Sequence, residues 1–549
     1  MKKIRNLKKP VKLENSSYEK KEVNNSKLQS LVEKIEKKSE ESIEKSLLSE
    51  NIEDNYEKIS KVFDNCYGVI LRRFTMGEKN IESFVAYIDG MVNRDDINQI
   101  VLKSLMTGRK VTNDDRESHQ ENLMSMVRDS LISIGEVTYI YSIKETVKYI
   151  LLGYCVLFIH ENNIALAVNT VGGDSRKVSK PTIETVLRGP MEAFVEDMKV
   201  NMTLIRRRLK TSDLKIEKFN VGRLSQTAVM MCYIKGIAAE DVLSEVRQRI
   251  SRIDTDMIIE GGQLEFFTED NWLSPFPQAE VTERPDNSAA ALAEGRVVII
   301  VNGTPFVVIV PVTLTYFFTA AEDYYYKFYF ATFARLLRYF SFFVTLLLPS
   351  FYVAITTYHQ EMIPSTLLIS IANARAEIPF PAVIEAFFME IIFEIIREAG
   401  ARLPISIGQS LSIVGALVIG QTAVQAGLVS PGMVIVVAIT AISSFLIPKI
   451  NSSRAISVLR FPMLLFASIL GIFGIIVGIL LLLIHMASLR SYGVPYLAPF
   501  TPISMEDWKD TFIKLPEWFM HKRPSFLQHN NLVRMKKGLA PKPPGTNND

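Results

Sequence analysis

The alternation of apolar and polar positions divides the chain into two halves of different character. Up to about residue 320, short apolar runs alternate with amphipathic stretches, which is typical of a mixed α/β protein. Further on, the apolar runs become long enough to cross a hydrocarbon core of roughly 30 Å. The pattern therefore predicts a two-lobed α/β N-terminal module, placed in the cytosol, followed by an all-α multi-pass membrane domain.

The α/β module divides into three predicted segments. Residues 1–51 are rich in Lys, Glu, Asn and Ser and are expected to be a disordered leader, because they bury too little apolar surface to offset the entropy of ordering. Residues 52–180 form a first α/β subdomain, with a hairpin turn at Glu161 to Asn163. Residues 181–320 form a second, in which VVIIV and FVVIV flank Asn302 to Thr304 as strand, turn and strand.

Residues 321–488 are predicted to be the membrane domain, and residues 489–549 a basic cytosolic tail. The expected spans lie near 336–358, 408–427, 431–448 and 461–486, with an acidic amphipathic helix at 381–400. Basic segments favour the cytoplasmic side, which places both ends of this domain inside. Neither four nor five crossings satisfy every charge. We favour four spans and an interfacial or re-entrant acidic helix, because carboxylates facing lipid would cost several kcal/mol.

Composition excludes several classes of function. A formal net charge of +3 over 549 residues gives no nucleic-acid footprint. The start of the chain has no apolar signal region. The three cysteines are far apart and match neither a metal site nor a disulfide framework, so free buried thiols are expected. No phosphate loop, zinc pair or dinucleotide fingerprint is present, so we expect neither an enzyme nor a cofactor.

The acidic helix carries the strongest candidate residues. Glu390, Glu394 and Glu398 fall within an arc of roughly 80° on a helix that is otherwise apolar. One interpretation is a solvated interfacial face, with the acids in water or paired with Arg397 and Arg402. A second is the vestibule of a cation path, where acids from several subunits concentrate cations. A purely intramolecular salt-bridge role is the third.

A second candidate site lies in the predicted span at 408–427. Small residues recur every fourth position there and predict a helix-packing face. Gln421 and Gln425 add amides near its far end. They predict a polar helix contact, with the lining of a polar path as the alternative.

Several motifs in this order resemble one family closely. They are GPMEAFVEDMKVNMTLIRRRLK, PFPQAEVTERPD, EGRVVIIVNGTPFVVIVP, the run from PFPAVIEAFFMEIIFEIIREAG to QTAVQAGLVSP, and SLRSYGVPYLAP. Together they resemble the A subunit of the GerA-type nutrient germinant receptors of endospore-forming bacteria. The resemblance covers roughly residues 60–500. Met191 and Ala193 depart from the Arg and Gly expected there.

The resemblance implies a multi-pass protein of the spore inner membrane whose α/β module faces the spore core. It also implies two partners, a transporter-like B subunit and a lipoprotein C subunit. Self-association into a ring that releases monovalent cations would give the acids of the helix a role. A non-conducting membrane scaffold that relays the nutrient signal remains the alternative.

Overall fold

The computed structural model describes residues 47–77, 80–107, 120–132, 134, 136–172, 180–402, 420–527 and 531–541. The chain folds as two compact units. Of the described residues, the first contains those from 47 to 62, 70–87 and 94–170, and the second contains those in 63–69, 88–93 and from 171 onward. The chain thus passes between the units more often than the predicted boundary at residue 180 implies. Most of the predicted leader lies outside the described residues.

The first unit is an α/β fold. Its helices are Ile52–Val62 (α1), Lys103–Thr107 (α2), Gln120–Met126 (α3) and Ile143–Leu152 (α4), with π-helical turns at Asp96–Leu102 and Val127–Leu131. Its strands are Val69–Met76 (β1), Ile81–Ile88 (β2), Val137–Ile140 (β3), Cys155–Ile159 (β4) and Ala165–Val168 (β5). They form a sheet in the order β1, β2, β4, β5, β3. The antiparallel pairing of β4 with β5 confirms the predicted hairpin, and Glu161 takes a positive φ in its turn.

The second unit contains another antiparallel sheet. Its strands are Leu214–Val221 (β6), Thr227–Ile234 (β7), Glu280–Thr282 (β8), Val297–Val301 (β9) and Val307–Val310 (β10), in the order β6, β7, β9, β10, β8. The helices beside it are Met198–Arg208 (α5), Glu240–Ser251 (α6), Gly261–Thr268 (α7) and Pro285–Glu294 (α8). The pairing of β9 with β10 confirms the predicted strand, turn and strand.

Both faces of this sheet are buried, which explains its continuous apolar strands. Along β7, Val229 and Met231 join the core that contains α6 and α7, whereas Met230 and Cys232 join the core with α5 and α8. Successive side chains of a strand point to opposite faces, so both positions must be apolar. The cysteines of the chain are free thiols, although Cys66 is only partly buried.

The helices of the C-terminal half are Phe328–Thr357 (α9), Ser365–Arg375 (α10), Ala382–Arg402 (α11), Gly420–Gln425 (α12), Pro431–Phe445 (α13) and Ile450–Ser488 (α14). Within the described residues, α9 and α14 are long and apolar enough to cross a membrane. The predicted span at 336–358 lies in α9. The span predicted at 431–448 corresponds to α13, which has only 15 residues. Most of the span predicted at 408–427 lies outside the described residues.

Helix α14 reverses direction at Gly471, which differs from the single span predicted at 461–486. Gly471 has a left-handed φ of 61° and a non-helical ψ of −139°. A Cβ at Gly478 would lie 2.5 Å from the sulfur of Met463, and one at Gly474 would overlap the carbonyl oxygen of Phe466. Residues this far apart in sequence meet only if the two arms form a hairpin, because a straight helix rises 1.5 Å per residue. Gly474 and Gly478 therefore pack within their own hairpin.

The contacts fix the directions of the helices. The first arm of α14 is the part before Gly471. Its Arg460 donates to the backbone carbonyl of Thr345 in α9, and its Ser468 carbonyl accepts from the hydroxyl of Tyr358 near the end of α9. Helix α9 therefore runs parallel to the first arm. The hairpin tip therefore lies at the C-terminal end of α9. The N-terminal end of α9 and both ends of α14 lie at the opposite end of the bundle, where Lys449 and Arg490 flank α14.

One face of helix α11 packs against the bundle and the other is exposed, and the predicted interfacial or re-entrant placement stays a prediction. Its early residue Glu385 contacts Ser430 at the start of α13, and Phe393 packs against Phe445 at the end of α13. The two helices therefore run parallel. Glu385 and Glu390 are buried against arginines of other helices, Arg375 and Arg460, partners that the sequence pattern of one helix does not reveal.

The segment after α14 differs from a simple tail. It forms a small hairpin of Arg490–Ser491 (β11) and Val494–Pro495 (β12). Tyr492 and Val494 join the sheet core of the second unit, and Tyr496 is fully buried. Leu527, much further along, joins the same core. The aromatic and aliphatic positions after residue 489 thus close the α/β fold, and the helices are inserted between its parts.

Buried Glu265 in α7 makes the stability of the second unit dependent on pH. Burial, with the nearby charges of Glu269, Glu280 and Glu260, raises the pKa of Glu265 from 4.5 to about 8. A carboxyl with a raised pKa stabilises the fold below its unfolded pKa and loses that contribution as the pH rises through the folded value. Glu265→Gln should therefore raise the thermal stability at pH 8.5 by on the order of 2–4 kcal/mol and change it little at pH 4.5. An equal effect at both pH values would contradict this assignment.

Candidate functional site

The acids of α11 meet partners from three other helices. Glu385, near its start, is buried and accepts from the backbone N–H and hydroxyl of Ser430, at 3.0 and 2.9 Å. Arg375 of α10 lies 3.3 Å from the same carboxylate. Ser430 is the N-cap of α13 and its hydroxyl also accepts from the Met433 N–H. These contacts fix the start of α11 against the start of α13.

Glu390 and Arg460 form a buried ion pair between α11 and the first arm of α14. Each residue is 1% exposed, and the guanidinium bonds directly to the carboxylate. A second nitrogen of Arg460 donates to the carbonyl of Thr345 in α9 at 3.0 Å. Charges removed from water are tolerated only when they are paired and hydrogen-bonded. This pair therefore joins three helices at one point.

The two remaining acids are progressively more exposed. Glu394 pairs with Arg397, which also donates to the Ser457 hydroxyl at 2.9 Å. Glu398 pairs with Arg402 at 2.6 Å, and both of these side chains are largely exposed. An exposed pair contributes little to stability. The three predicted residues thus share one helix but range from a buried anion at Glu390 to a solvated one at Glu398.

The structure places Gln421 and Gln425 on α12. Both side chains are exposed in this chain, while Ala423 between them is buried against the bundle. Their amides are directed away from the packed side of the helix. The predicted polar helix contact stays a prediction.

A cluster of opposite charges joins the helices to the second α/β sheet. Lys449, the N-cap residue of α14, lies 2.9 Å from Glu184 and bonds directly to Glu280 of β8. All three side chains are largely or fully buried. Burial raises the pKa of Glu280 to about 7, although the positive charge of Lys449 opposes that shift. The start of α14 is therefore held to the sheet by charge.

A second cluster holds the start of α9. Asp323 is buried between Arg335 and Arg338, at 3.0 and 2.7 Å. Arg335 also lies 2.8 Å from Asp510, in the segment that follows α14. Both clusters are at the end of the bundle that faces the sheet. The two long apolar helices are each anchored there through buried ion pairs.

Sequence reasoning identified the acids of α11 but missed Arg460, Lys449 and Asp323. One signal for Arg460 was available, because an arginine bordering a long apolar run needs an acid partner. The separations in sequence, 70 residues between Glu390 and Arg460, are too great for any helical spacing rule to connect them.

The fold and these clusters define an α/β protein joined through buried ion pairs to helices with the composition of membrane spans. The chain belongs to the Bacillus/Clostridium GerA spore germination protein family, whose pattern it matches over residues 57–526. This confirms the family to which the sequence motifs pointed.

Several known proteins are similar in sequence to this chain over most of its length. The chain is 41% identical to the membrane protein YfkQ of Bacillus subtilis, over 90% of this chain and 95% of that protein. It is 40% identical to spore germination protein KA of the same organism, over 90% of each chain. It is 38% identical to spore germination protein GerLA of Bacillus cereus, over 82% of this chain and 91% of that protein.

Among solved structures, the chain is similar to the N-terminal domain of the A subunit of the Bacillus megaterium spore germinant receptor GerK3. The identity is 30%, with 48% of this chain and 96% of that chain covered, and the TM-score is 0.39.

Proposed function

We propose that the chain is the A subunit of a spore germinant receptor, which responds to nutrients and triggers germination in the spore inner membrane. The supporting observation is the match to spore germination proteins across both the α/β part and the helices. The resemblance adds a transporter-like B subunit and a lipoprotein C subunit as partners. The chain would act in this assembly as a membrane-bound relay between them and the spore core.

The hairpin of α14 supports a membrane topology with both ends inside. A single span at 461–486 would have separated the basic segment around Lys449 from the basic residues after α14. Because the chain reverses at Gly471, the basic residues on both sides of α14 lie near one end of the bundle. They are Lys449, Arg454 and Arg490, and Arg335 of α9 lies at the same end. Basic residues favour the cytoplasmic side. The α/β units would then face the spore core.

The outer face of α11 supports self-association and cation release. Phe388, Ile391 and Ile395 are exposed and apolar, and Glu398 follows on the same helix. In a ring of such subunits the apolar positions would pack against neighbours. Glu394 and Glu398 would attract cations, and Glu390, held by Arg460, would mark the closed end of the path. The pairing of all three acids within one chain favours the second candidate, a non-conducting scaffold.

Potassium efflux from spores after nutrient addition separates these two functions. Replacing Glu394 and Glu398 together by Gln leaves the buried pair of Glu390 intact, so the protein should accumulate normally. We expect efflux to fall several-fold, because the exposed carboxylates that concentrate cations are gone. The matched control replaces Glu361 and Glu377, exposed acids before α11, by Gln. Unchanged efflux in the α11 variant, at equal protein level, would exclude conduction past these acids and favour the scaffold.

A further inference from the structure

Four large apolar side chains project from the second unit at the end of α7 and in the loop that follows it. They are Phe266, Phe267, Trp272 and Leu273, which we term the aromatic segment. Trp272 is 78% exposed and Leu273 is 71% exposed. Single exposed apolar residues are common in folded proteins, but a concentration of this kind within eight positions marks an interaction surface.

Two hydrogen bonds hold the aromatic segment beside the end of α14. The Ser274 hydroxyl lies 2.9 Å from the Nε2 atom of His485, in the last turn of that helix. On the other side of Trp272, the carboxylate of Asp270 accepts from the backbone N–H of Tyr492 at 2.6 Å. The segment is therefore fixed at the level where α14 ends.

The neighbouring surface of α14 is apolar and exposed. Leu480, Leu481, Leu483 and Ile484 have about half of their side-chain surface uncovered in this chain. Arg490, two residues beyond the helix, is also exposed. An apolar helix face that ends at a basic residue is typical of the boundary between acyl chains and headgroups. Tryptophan is enriched at that boundary because its ring is apolar and its N–H is polar.

The acidic residues beside the aromatic segment would oppose its contact with an anionic lipid surface only weakly. Asp270 is paired with Arg249 at 2.7 Å. Burial, with the nearby charge of Asp270, raises the pKa of Glu269 to about 7, so this carboxyl is partly neutral near neutral pH. Neither acid presents a full free charge to an anionic lipid surface.

We propose that the aromatic segment inserts into the headgroup and acyl boundary of the bilayer next to the end of α14. The second α/β subdomain is then docked on the lipid surface as well as on the helices. This inference rests on the proposed membrane placement of α14. The occupant is lipid, because the segment continues the exposed apolar face of a candidate span. A protein partner in place of lipid would leave Trp272 unquenched by brominated acyl chains.

The test uses the full-length chain in nanodiscs made from lipids with brominated acyl chains, which quench tryptophan on contact. The chain has three tryptophans, so Trp508→Phe with Trp518→Phe leaves Trp272 as the reporter. We expect roughly twofold lower fluorescence in brominated than in ordinary lipid, because the ring lies at the boundary. The single variant Trp272→Phe, at an exposed position, gives a second measurement, since it should reduce the lipid-quenched fraction of the native emission.

A matched reporter separates this inference from the topology on which it rests. Trp272, Trp508 and Trp518 are all replaced by Phe, and Leu481 of α14 is replaced by Trp. Quenching at residue 481 without quenching at Trp272 would overturn the inference and leave the membrane placement intact. Trp272 would then contact solvent if aqueous iodide quenches it, or protein if iodide does not. No quenching at residue 481 would contradict the placement of α14 itself.

Discussion

Replacing Arg460 by Met should destabilise the helical bundle by about 3–5 kcal/mol, because Glu390 would remain buried without a cation. The carboxylate cannot reach water from its place between α11 and α14, where it is 1% exposed. For a chain of this size the thermal midpoint should fall by roughly 3–4 °C, because the entropy of unfolding grows with chain length. Thermal unfolding of the purified protein in nanodiscs would measure the change.

The matched control is Arg454→Met, on the same arm of α14 but at an exposed position. It should change the midpoint little, because an exposed charge remains solvated in either state. Replacing Glu390 and Arg460 together by Met should recover most of the loss, because a buried pair exchanged for apolar side chains is close to neutral. Equal midpoints for Arg460→Met and Arg454→Met would show that the pair does not stabilise the bundle.

The double Met variant also tests the role of Glu390 in function. A folded variant without either charge that still releases potassium normally would limit Glu390 to joining helices. Lost efflux in a stable variant would instead assign the buried acid to the cation path. The single variant alone does not make this distinction, because instability also lowers efflux.

The sequence predicted the α/β strands well because their signal is local. The hairpins at β4 with β5 and at β9 with β10 follow from short apolar runs on either side of turn residues. The reversal at Gly471 carries no such signal. Phe461 to Ile484 is a run without charged residues that contains two other glycines, so composition alone favours one straight span. The backbone angles of Gly471 and the contacts of Gly474 and Gly478 with the first arm show the turn.

Only the part of the candidate site that has a local signal in the sequence was predicted. The periodicity of α11 identifies Glu390, Glu394 and Glu398, and the neighbouring arginines on that helix are visible in the sequence. The partner of Glu390 is 70 residues away and the partners of Lys449 are still further. Such pairs depend on how the helices and the sheet pack. The chain after residue 489 was assigned to a tail for a similar reason, although Tyr492 and Val494 complete a distant core.

Within the described residues, buried ion pairs lie at three junctions of the second unit. Asp323 with Arg335 fixes the start of α9, Glu390 with Arg460 joins α11 to α14, and Lys449 joins α14 to the sheet. Separating paired charges costs more free energy in a low-dielectric interior than in water. Buried ion pairs therefore suit a relay in which helices and sheet must move together rather than slide.

Replacing Lys449 by Met should weaken this connection in a way that depends on pH. Without the ammonium group, Glu280 and Glu184 would lose their shared cation. The pKa of Glu280 is already raised to about 7 by burial, with Lys449 and Arg296 opposing that shift and Glu184 adding to it. Below that value the Glu280 carboxyl is protonated and needs no cation. The loss of stability should therefore be small at pH 5.5 and about 3–5 kcal/mol at pH 8.5.

Thermal unfolding at the two pH values measures this difference, and nutrient-induced germination measures its consequence. Adding Glu280→Gln to Lys449→Met should remove most of the pH dependence, because the buried carboxylate is gone. The variant protein should assemble at pH 5.5 yet accumulate at a several-fold lower level and give a weaker nutrient response at neutral pH, because a loss of a few kcal/mol lowers the amount of folded protein. A loss of stability that is the same at both pH values would show that Lys449 packs at this junction without acting through its charge on Glu280.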